Sequence, residues 1–262
     1  MVKGLDVFRE KFRPFEGAFV LIGGAACDDW FAQNSLPFRS TKDLDIVLIV
    51  EVLDPKFIAA IRAFVEEGGY AIAERSEADK TPVLYRFSEP TNPAFPFMLE
   101  FFSRTPAEFE PGDGQTIIPI STDSDRHSLS AILLDAAYYD LIRTHHLPVD
   151  GLNFASVGSL IPLKARAWLD LTARRAAGER IDSRKIDKHS NDVFRLAATL
   201  SGTVTPGLPG PILADLEKFL SEFPENSDRW PAILAALKEM GLKLKPAHLI
   251  SAVRDYFRLP AA

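Results

Sequence analysis

The chain of 262 residues contains a single cysteine, Cys27. One thiol excludes an internal disulfide and any zinc site built on several cysteines. No apolar run approaches the roughly eighteen residues that a membrane-spanning helix needs. The stretch from Met1 to Phe15 is charged throughout and lacks the apolar centre of a secretory signal. Positive charge is also short: 30 Lys and Arg stand against 36 Asp and Glu, a net charge of −6, which argues against broad, nonspecific nucleic-acid binding. There are no internal repeats and no low-complexity tracts. What remains is ordinary globular composition, 47% hydrophobic and 25% charged, in a chain long enough for one large or two modest domains. Together these features lead to the expectation of a cytoplasmic protein with no membrane association.

One stretch carries most of the chemistry. Ala18 to Ile22 is a short apolar run ended by Gly23-Gly24, and reads as a buried strand. The glycines let the chain turn with backbone N–H groups able to approach an anion closely. Ala25 to Gln33 follow as a helix, so the turn lies at a helix N-terminus, where the macrodipole favours negative charge. After a loop, Arg39-Ser40-Thr41-Lys42 leads into Asp43-Leu44-Asp45, which opens a strand read as Leu44 to Val50. Residues two apart on a strand share a face, so both carboxylates look one way while Leu44 and Ile46 look the other. Like charges this close repel unless a cation lies between them. Hard oxygen donors of this kind suit Mg²⁺ held jointly with substrate phosphates. Each element is commonplace alone; their order along the chain points to a site.

A third carboxylate stands in an unusual setting. Pro96 to Ser103 is an apolar strand with one charge in its middle, Glu100. Burying an isolated carboxylate costs several kcal/mol, so Glu100 either serves a site or meets water from an edge strand. Glu74, Glu77 and Asp79 have polar neighbours and read as a solvated loop. Cys27 follows Gly24 within a turn, where a helix N-terminus could lower its pKa; a buried, inert thiol is the plainer expectation.

Gly23-Gly24 with Arg39-x-Thr41-x-Asp43-x-Asp45 resembles the signature of the nucleotidyltransferase superfamily. The resemblance implies an α+β fold, a mixed-sheet nucleotidyltransferase core with a C-terminal helical bundle domain. It implies Asp43, Asp45 and Glu100 as catalytic metal ligands, the third acid on a strand next to the Asp-x-Asp strand. Two-metal phosphoryl transfer calls for such a group. Mg²⁺ or Mn²⁺ is the implied cofactor and a nucleoside triphosphate the implied substrate, its phosphates cradled by the Gly23 and Gly24 amides. Arg39 and Lys42 neutralise either phosphate or the aspartates, and Thr41 either bonds a metal-bound water or shapes the turn.

The second half narrows the family. Leu160, Leu163, Ala167 and Leu171 recur at helical spacing, with Ser159 as a cap and Pro162 in the first turn. Lys164-x-x-Ala167, followed by Lys188-His189-x-x-Asp192-Val193-Phe194-Arg195-Leu196, resembles the helical motifs of abortive-infection (AbiEii-like) nucleotidyltransferases. These include toxins of toxin–antitoxin pairs. The resemblance implies that Lys164 contacts the nucleotide phosphates and Asp192 supports the same site. It implies an acceptor hydroxyl on RNA, such as tRNA, or on a protein, and an antitoxin as partner. Many relatives have Arg-Asp or Lys-Asp where this chain has Lys188-His189, so His189 is given no chemical role. Between Lys164 and Arg195 nine basic residues face five acidic ones. The run is either a set of solvated helix faces or a receiver for triphosphate or an RNA end, and it tips the acceptor towards RNA. Two other functions stay open: a catalytically silent nucleotide- or partner-binding protein on the same fold, and a small-molecule (antibiotic) nucleotidyltransferase.

Periodicity and breakers divide the chain into an α/β core over 1–157 and a helical domain over 158–262. The core reads as strand 18–22, helix 25–33, strand 44–50, helix 54–67, and strands near 70–75, 82–88 and 96–103. A loop at 110–114 and a strand at 115–120 follow, and 130–134 is strand or helix. Tyr138-Tyr139 and Tyr256-Phe257 read as core, and His145-His146 as a charge partner at a helix end. Past about residue 205 no motif is recognised.

Overall fold

The computed structural model of the chain describes residues 2–52, 55–72, 84–102, 135–201 and 207–260. The loop expected at 110–114, the strand at 115–120, the element at 130–134, and Glu74, Glu77 and Asp79 lie outside the described residues. The chain divides into two compact units, Met1–Gln33 with Phe38–Ser156, and Asn34–Pro37 with Val157–Ala262.

The first unit is built on a mixed sheet that has seven strands among the described residues. They are β1 (Phe19–Ile22), β2 (Asp43–Leu48), β3 (Ala71–Ile72), β4 (Leu84–Ser88), β5 (Met98–Phe102), β6 (His146–Val149) and β7 (Leu152–Ala155), in the order β3-β4-β5-β2-β1-β7-β6. β2 pairs with β5 and β1 with β7 in parallel; the other neighbours are antiparallel. The fold class is α+β, as the sequence leads one to expect. β1 is buried along its whole length because it lies between β2 and β7 in the middle of the sheet.

Helix α1 (Leu5–Phe12) buries Leu5, Phe8 and Phe12, one helical stripe. Phe8 and Phe12 stack on each other at 4.3 Å and meet Phe19 of β1 and Phe57 and Phe64 of α3 (Pro55–Gly68), with ring centroids 5.3 to 6.1 Å apart. Aromatic pairs in this range contribute beyond their buried area, and they fasten both helices to β1. Tyr139, fully buried on α4 (Ala136–Thr144), donates its hydroxyl to the Glu51 carboxylate at 2.6 Å, just past the end of β2. His145 caps α4 and His146 opens β6.

The β6–β7 hairpin escaped the periodicity reading. Its turn is Asp150-Gly151, with φ of 50° and 80°. A two-residue turn with both φ positive matches the right-handed twist of the flanking strands, which is why Asp-Gly favours it. That dipeptide between Val149 and Leu152 was the available signal.

The second unit is helical. Helices α5 (Val157–Ala176), α6 (Ser183–Ala197), α7 (Gly210–Ser221), α8 (Trp230–Glu239) and α9 (Pro246–Phe257) follow one another. Trp168, Phe194, Phe219, Phe223 and Trp230 form its aromatic centre, with centroids 4.7 to 6.2 Å apart. Two expectations for α5 are corrected. The helix begins at Val157, so Ser159 is a fully buried interior residue and not its cap. Pro162 therefore sits inside the helix, beyond the first turn, where its missing N–H removes the bond to the Gly158 carbonyl. Among the described residues no helix is long and apolar enough to cross a membrane.

Candidate active site

Strand direction gathers the acidic residues. β2 and β5 run parallel, so both begin at one end of the sheet, and β1, antiparallel to β2, finishes there. The start of α2 (Gly23–Gln33), the first residues of β2 and the first residues of β5 therefore meet at that end. In register, Asp43 lies beside Met98, Asp45 beside Glu100, and Ile22 beside Asp45 on its other side. Register partners on parallel strands share a face, so Asp43, Asp45 and Glu100 look the same way. Leu44 and Ile46, on the opposite face, are fully buried, whereas Asp43 and Asp45 are partly open.

Glu100 is only 3% exposed. β5 is an interior strand with β4 on its far side, where Arg86 is the register partner of Glu100. The edge-strand alternative for Glu100 is thereby removed. Entry into β5 is fixed by Tyr70, whose hydroxyl donates to the Pro96 carbonyl at 2.6 Å. Burial pushes this phenol well above the usual tyrosine range. Phe97, expected within the strand, lies just outside it and is 42% exposed.

The glycines do more than turn the chain. Helix α2 starts at Gly23 itself, two residues earlier than periodicity suggests, and Gly23 has φ +65°. A Cβ on Gly23 would stand 2.8 Å from Asp45 Cγ and closer still to Oδ2; one on Gly24 would stand 3.0 Å from Thr41 Cβ and closer still to Oγ1. Each glycine thus admits one side chain from the segment that carries the Asp-x-Asp pair. Thr41 packs against the helix start. The first N–H groups of a helix have no acceptor within it, so the carboxylates stand beside an electropositive helix end.

The flanking cations rest on aromatic rings. The Arg39 guanidinium lies 5.1 Å over Phe38, which stacks at 5.0 Å on Phe31 of α2. Lys42 Nζ lies 5.7 Å over the ring of Phe97. Cys27 is fully buried, the inert alternative.

Lys164 and Asp192 belong to the helical unit, where each holds the other. Lys164 Nζ donates to Asp192 Oδ2 at 2.9 Å, and Arg195 approaches the other oxygen at 3.5 Å. Lys164 is 6% exposed and Asp192 fully buried, so Lys164 is no ordinary surface lysine. The basic run around them is largely engaged internally. Arg166 pairs with Asp215, Arg174 with Asp170 and Glu179, and Arg184 with Asp182.

Among the described residues no three His, Cys, Asp or Glu side chains are grouped so that they could hold a metal ion together. The donor chemistry fits a different kind of ion. Asp45 and Glu100, register partners on the face that Asp43 shares, carry hard carboxylate oxygens of the type that suits Mg²⁺ bound by one or two side chains together with water and substrate phosphate. A structural zinc site, closed by protein ligands alone, does not fit.

No protein-family model matches the chain, and no curated protein matches it either. Among solved structures the chain is similar to one described as an antigenic nucleotidyltransferase-like protein from Paracoccidioides brasiliensis. The identity is 15% and the TM-score 0.42, over 88% of this chain and 89% of that one.

Proposed function

We propose that the chain is a divalent-cation-dependent nucleotidyltransferase, which moves a nucleoside monophosphate from a nucleoside triphosphate to an acceptor hydroxyl. The observation that carries this is the register of Asp45 with Glu100, on the face shared with Asp43, against the Gly23 start of α2. In this proposal the triphosphate lies along the α2 N-terminus, where backbone N–H groups and the helix dipole receive its charge. Asp43, Asp45 and Glu100 are the residues that would hold Mg²⁺ or Mn²⁺, which would neutralise phosphate charge. Gly23 and Gly24 keep the backbone close enough to touch phosphate, and Arg39 and Thr41 border the same bend.

The acceptor oxygen attacks the α-phosphorus in line. The bond from that phosphorus to the oxygen bridging towards the β-phosphate breaks, and pyrophosphate leaves with the electron pair. The acceptor proton passes to a carboxylate oxygen of Glu100. The acceptor is an RNA hydroxyl, such as a tRNA end, or a protein hydroxyl. A toxin role with a cognate antitoxin accords with the AbiEii-like helical motifs.

The test is transfer of label from each of the four triphosphates, tagged at the α-phosphate, into total RNA, cell protein and aminoglycosides. Cation-dependent label that is lost in an Asp43→Ala/Asp45→Ala double variant supports the proposal, and the labelled fraction names the acceptor. Nucleotide binding without transfer to any of them overturns it in favour of a silent binding protein.

A further inference from the structure

The end of α8 and the start of α9 gather three cations on one short stretch of chain. Two backbone bonds close α8: the Leu242 N–H donates to the Leu237 carbonyl at 3.0 Å and the Gly241 N–H to the Lys238 carbonyl at 3.0 Å, with Gly241 at φ +78°. This closure folds the chain back on the helix end, so Lys238 and Lys243, which follow Leu237 and Leu242, rise from adjoining backbone. From Leu242 to Lys245, half-buried leucines alternate with exposed lysines. Lys243 and Lys245 therefore face solvent together, at most about 7 Å apart along the chain. Lys245 is extended before Pro246 opens α9, and Lys238 is exposed as well.

Carboxylates are scarce here. Lys164, Arg166, Arg174 and Arg184 all hold acids within the helical unit, whereas Lys238, Lys243 and Lys245 hold none among the described residues. Glu239 is the single acid from Lys238 to Val253, and the first turn of α9 adds none. This face is positive on a chain whose net charge is −6. It also lacks apolar anchors: the exposed large apolar side chains among the described residues are Val52, Phe97 and Leu147, all in the first unit. A protein interface relies on a buried aromatic or aliphatic anchor, and a membrane-bound helix on an apolar face. A nucleic-acid strand needs neither, because lysines on its phosphates hold it by charge, whatever its sequence.

We infer that Lys238, Lys243 and Lys245 form a docking face for the phosphodiester backbone of a single nucleic-acid strand. Lysine is a compact charge on a flexible stem, suited to following successive phosphates. The inference goes beyond the transferase proposal and does not depend on it.

The test is fluorescence anisotropy of the full chain with a labelled single-stranded RNA, the DNA of the same sequence and a poly-glutamate peptide. Salt is varied over about 50 to 200 mM, without triphosphate or divalent cation, so docking and label transfer are read separately. Three phosphate contacts on a single strand contribute about −2 to the slope of log affinity against log salt. Lys238→Gln/Lys243→Gln/Lys245→Gln should therefore bind both strands more weakly, with a slope shallower by about 2. Lys3→Gln/Lys56→Gln/Lys218→Gln removes the same charge from exposed lysines elsewhere and should keep the wild-type slope. RNA and DNA should bind alike, since the contacts are to phosphate; binding of only one overturns phosphate docking, because it requires reading of sugar or base. A wild type that binds neither strand at the lowest salt, or a slope unchanged in the first variant, also overturns the inference. So does lysine-dependent binding of poly-glutamate that is tighter than that of either strand, which would make the partner an acidic protein.

Discussion

Gly23 and the Asp45 carboxylate occupy adjoining space: a single methyl group on Gly23 would stand 2.8 Å from Asp45 Cγ. The first residue of α2 and the second acid of β2 are thus sterically coupled, although 22 positions separate them in the chain. Gly23 also has φ +65°, a conformation that residues with a Cβ adopt at a cost of about 1–2 kcal/mol.

From this coupling, Gly23→Ala should lose both stability and function. The expected destabilisation is roughly 1–3 kcal/mol, read by urea denaturation, with label transfer falling below detection as Asp45 is displaced. Gly17→Ala is the control: a Cβ there meets nothing within 4 Å, so the same measurements should match wild type.

The acids on the shared face should trade activity against stability. Asp45→Asn and Glu100→Gln are each expected to cut transfer by roughly 10²-fold or more, with the double variant little worse than either single one because the groups act together. Replacing one of several like charges on one face relieves repulsion, so the thermal midpoint of Asp45→Asn measured without divalent cation should hold or rise. A large fall in that midpoint would assign Asp45 a structural role instead.

Lys164 and Asp192 should behave as a buried ion pair. Lys164→Met leaves the fully buried Asp192 carboxylate short of its 2.9 Å partner, an expected loss of about 3–5 kcal/mol. Lys164→Met/Asp192→Leu should recover most of it, because removing both charges removes the desolvation problem. Arg195, which also leans on Asp192 at 3.5 Å, limits the recovery. Chemical denaturation of the four members of the cycle gives the coupling directly.

Tyr70 gives stability a signature at high pH. Burial raises its phenol above the ordinary tyrosine value, so the unfolded chain ionises first. The contribution of Tyr70 is therefore complete below about pH 10 and lost as pH rises from there towards the folded-state pKa. Tyr70→Phe should cost about 1–2 kcal/mol at neutral pH, by leaving the Pro96 carbonyl without this donor. It should also flatten the alkaline decline in denaturation midpoint, and an unchanged slope would count against this account.

Elements with strong local signals were legible in advance. β1, β2 and α3 were expected within a few residues of where they lie, because apolar runs and their period state burial directly. Boundaries set by contacts were not. α2 begins at Gly23, where Asp45 and Thr41 pack against its first residues, and α5 engulfs Pro162 because all of its first nine residues are buried. The hairpin at Asp150-Gly151 had a local signal that periodicity passes over.

By itself, the order of residues determined which side chains share a strand face, which segments are apolar enough to be buried, and that Asp43 and Asp45 point together. Alternation along a strand is a property of the backbone and needs no partner. Only the tertiary structure decided that Glu100 stands beside Asp45, that Phe97 stays outside at the same sheet end, and that Lys164 turns to Asp192. Register between strands, and the pairing of a buried charge, depend on segments distant in the chain, and no local pattern encodes which of them will meet.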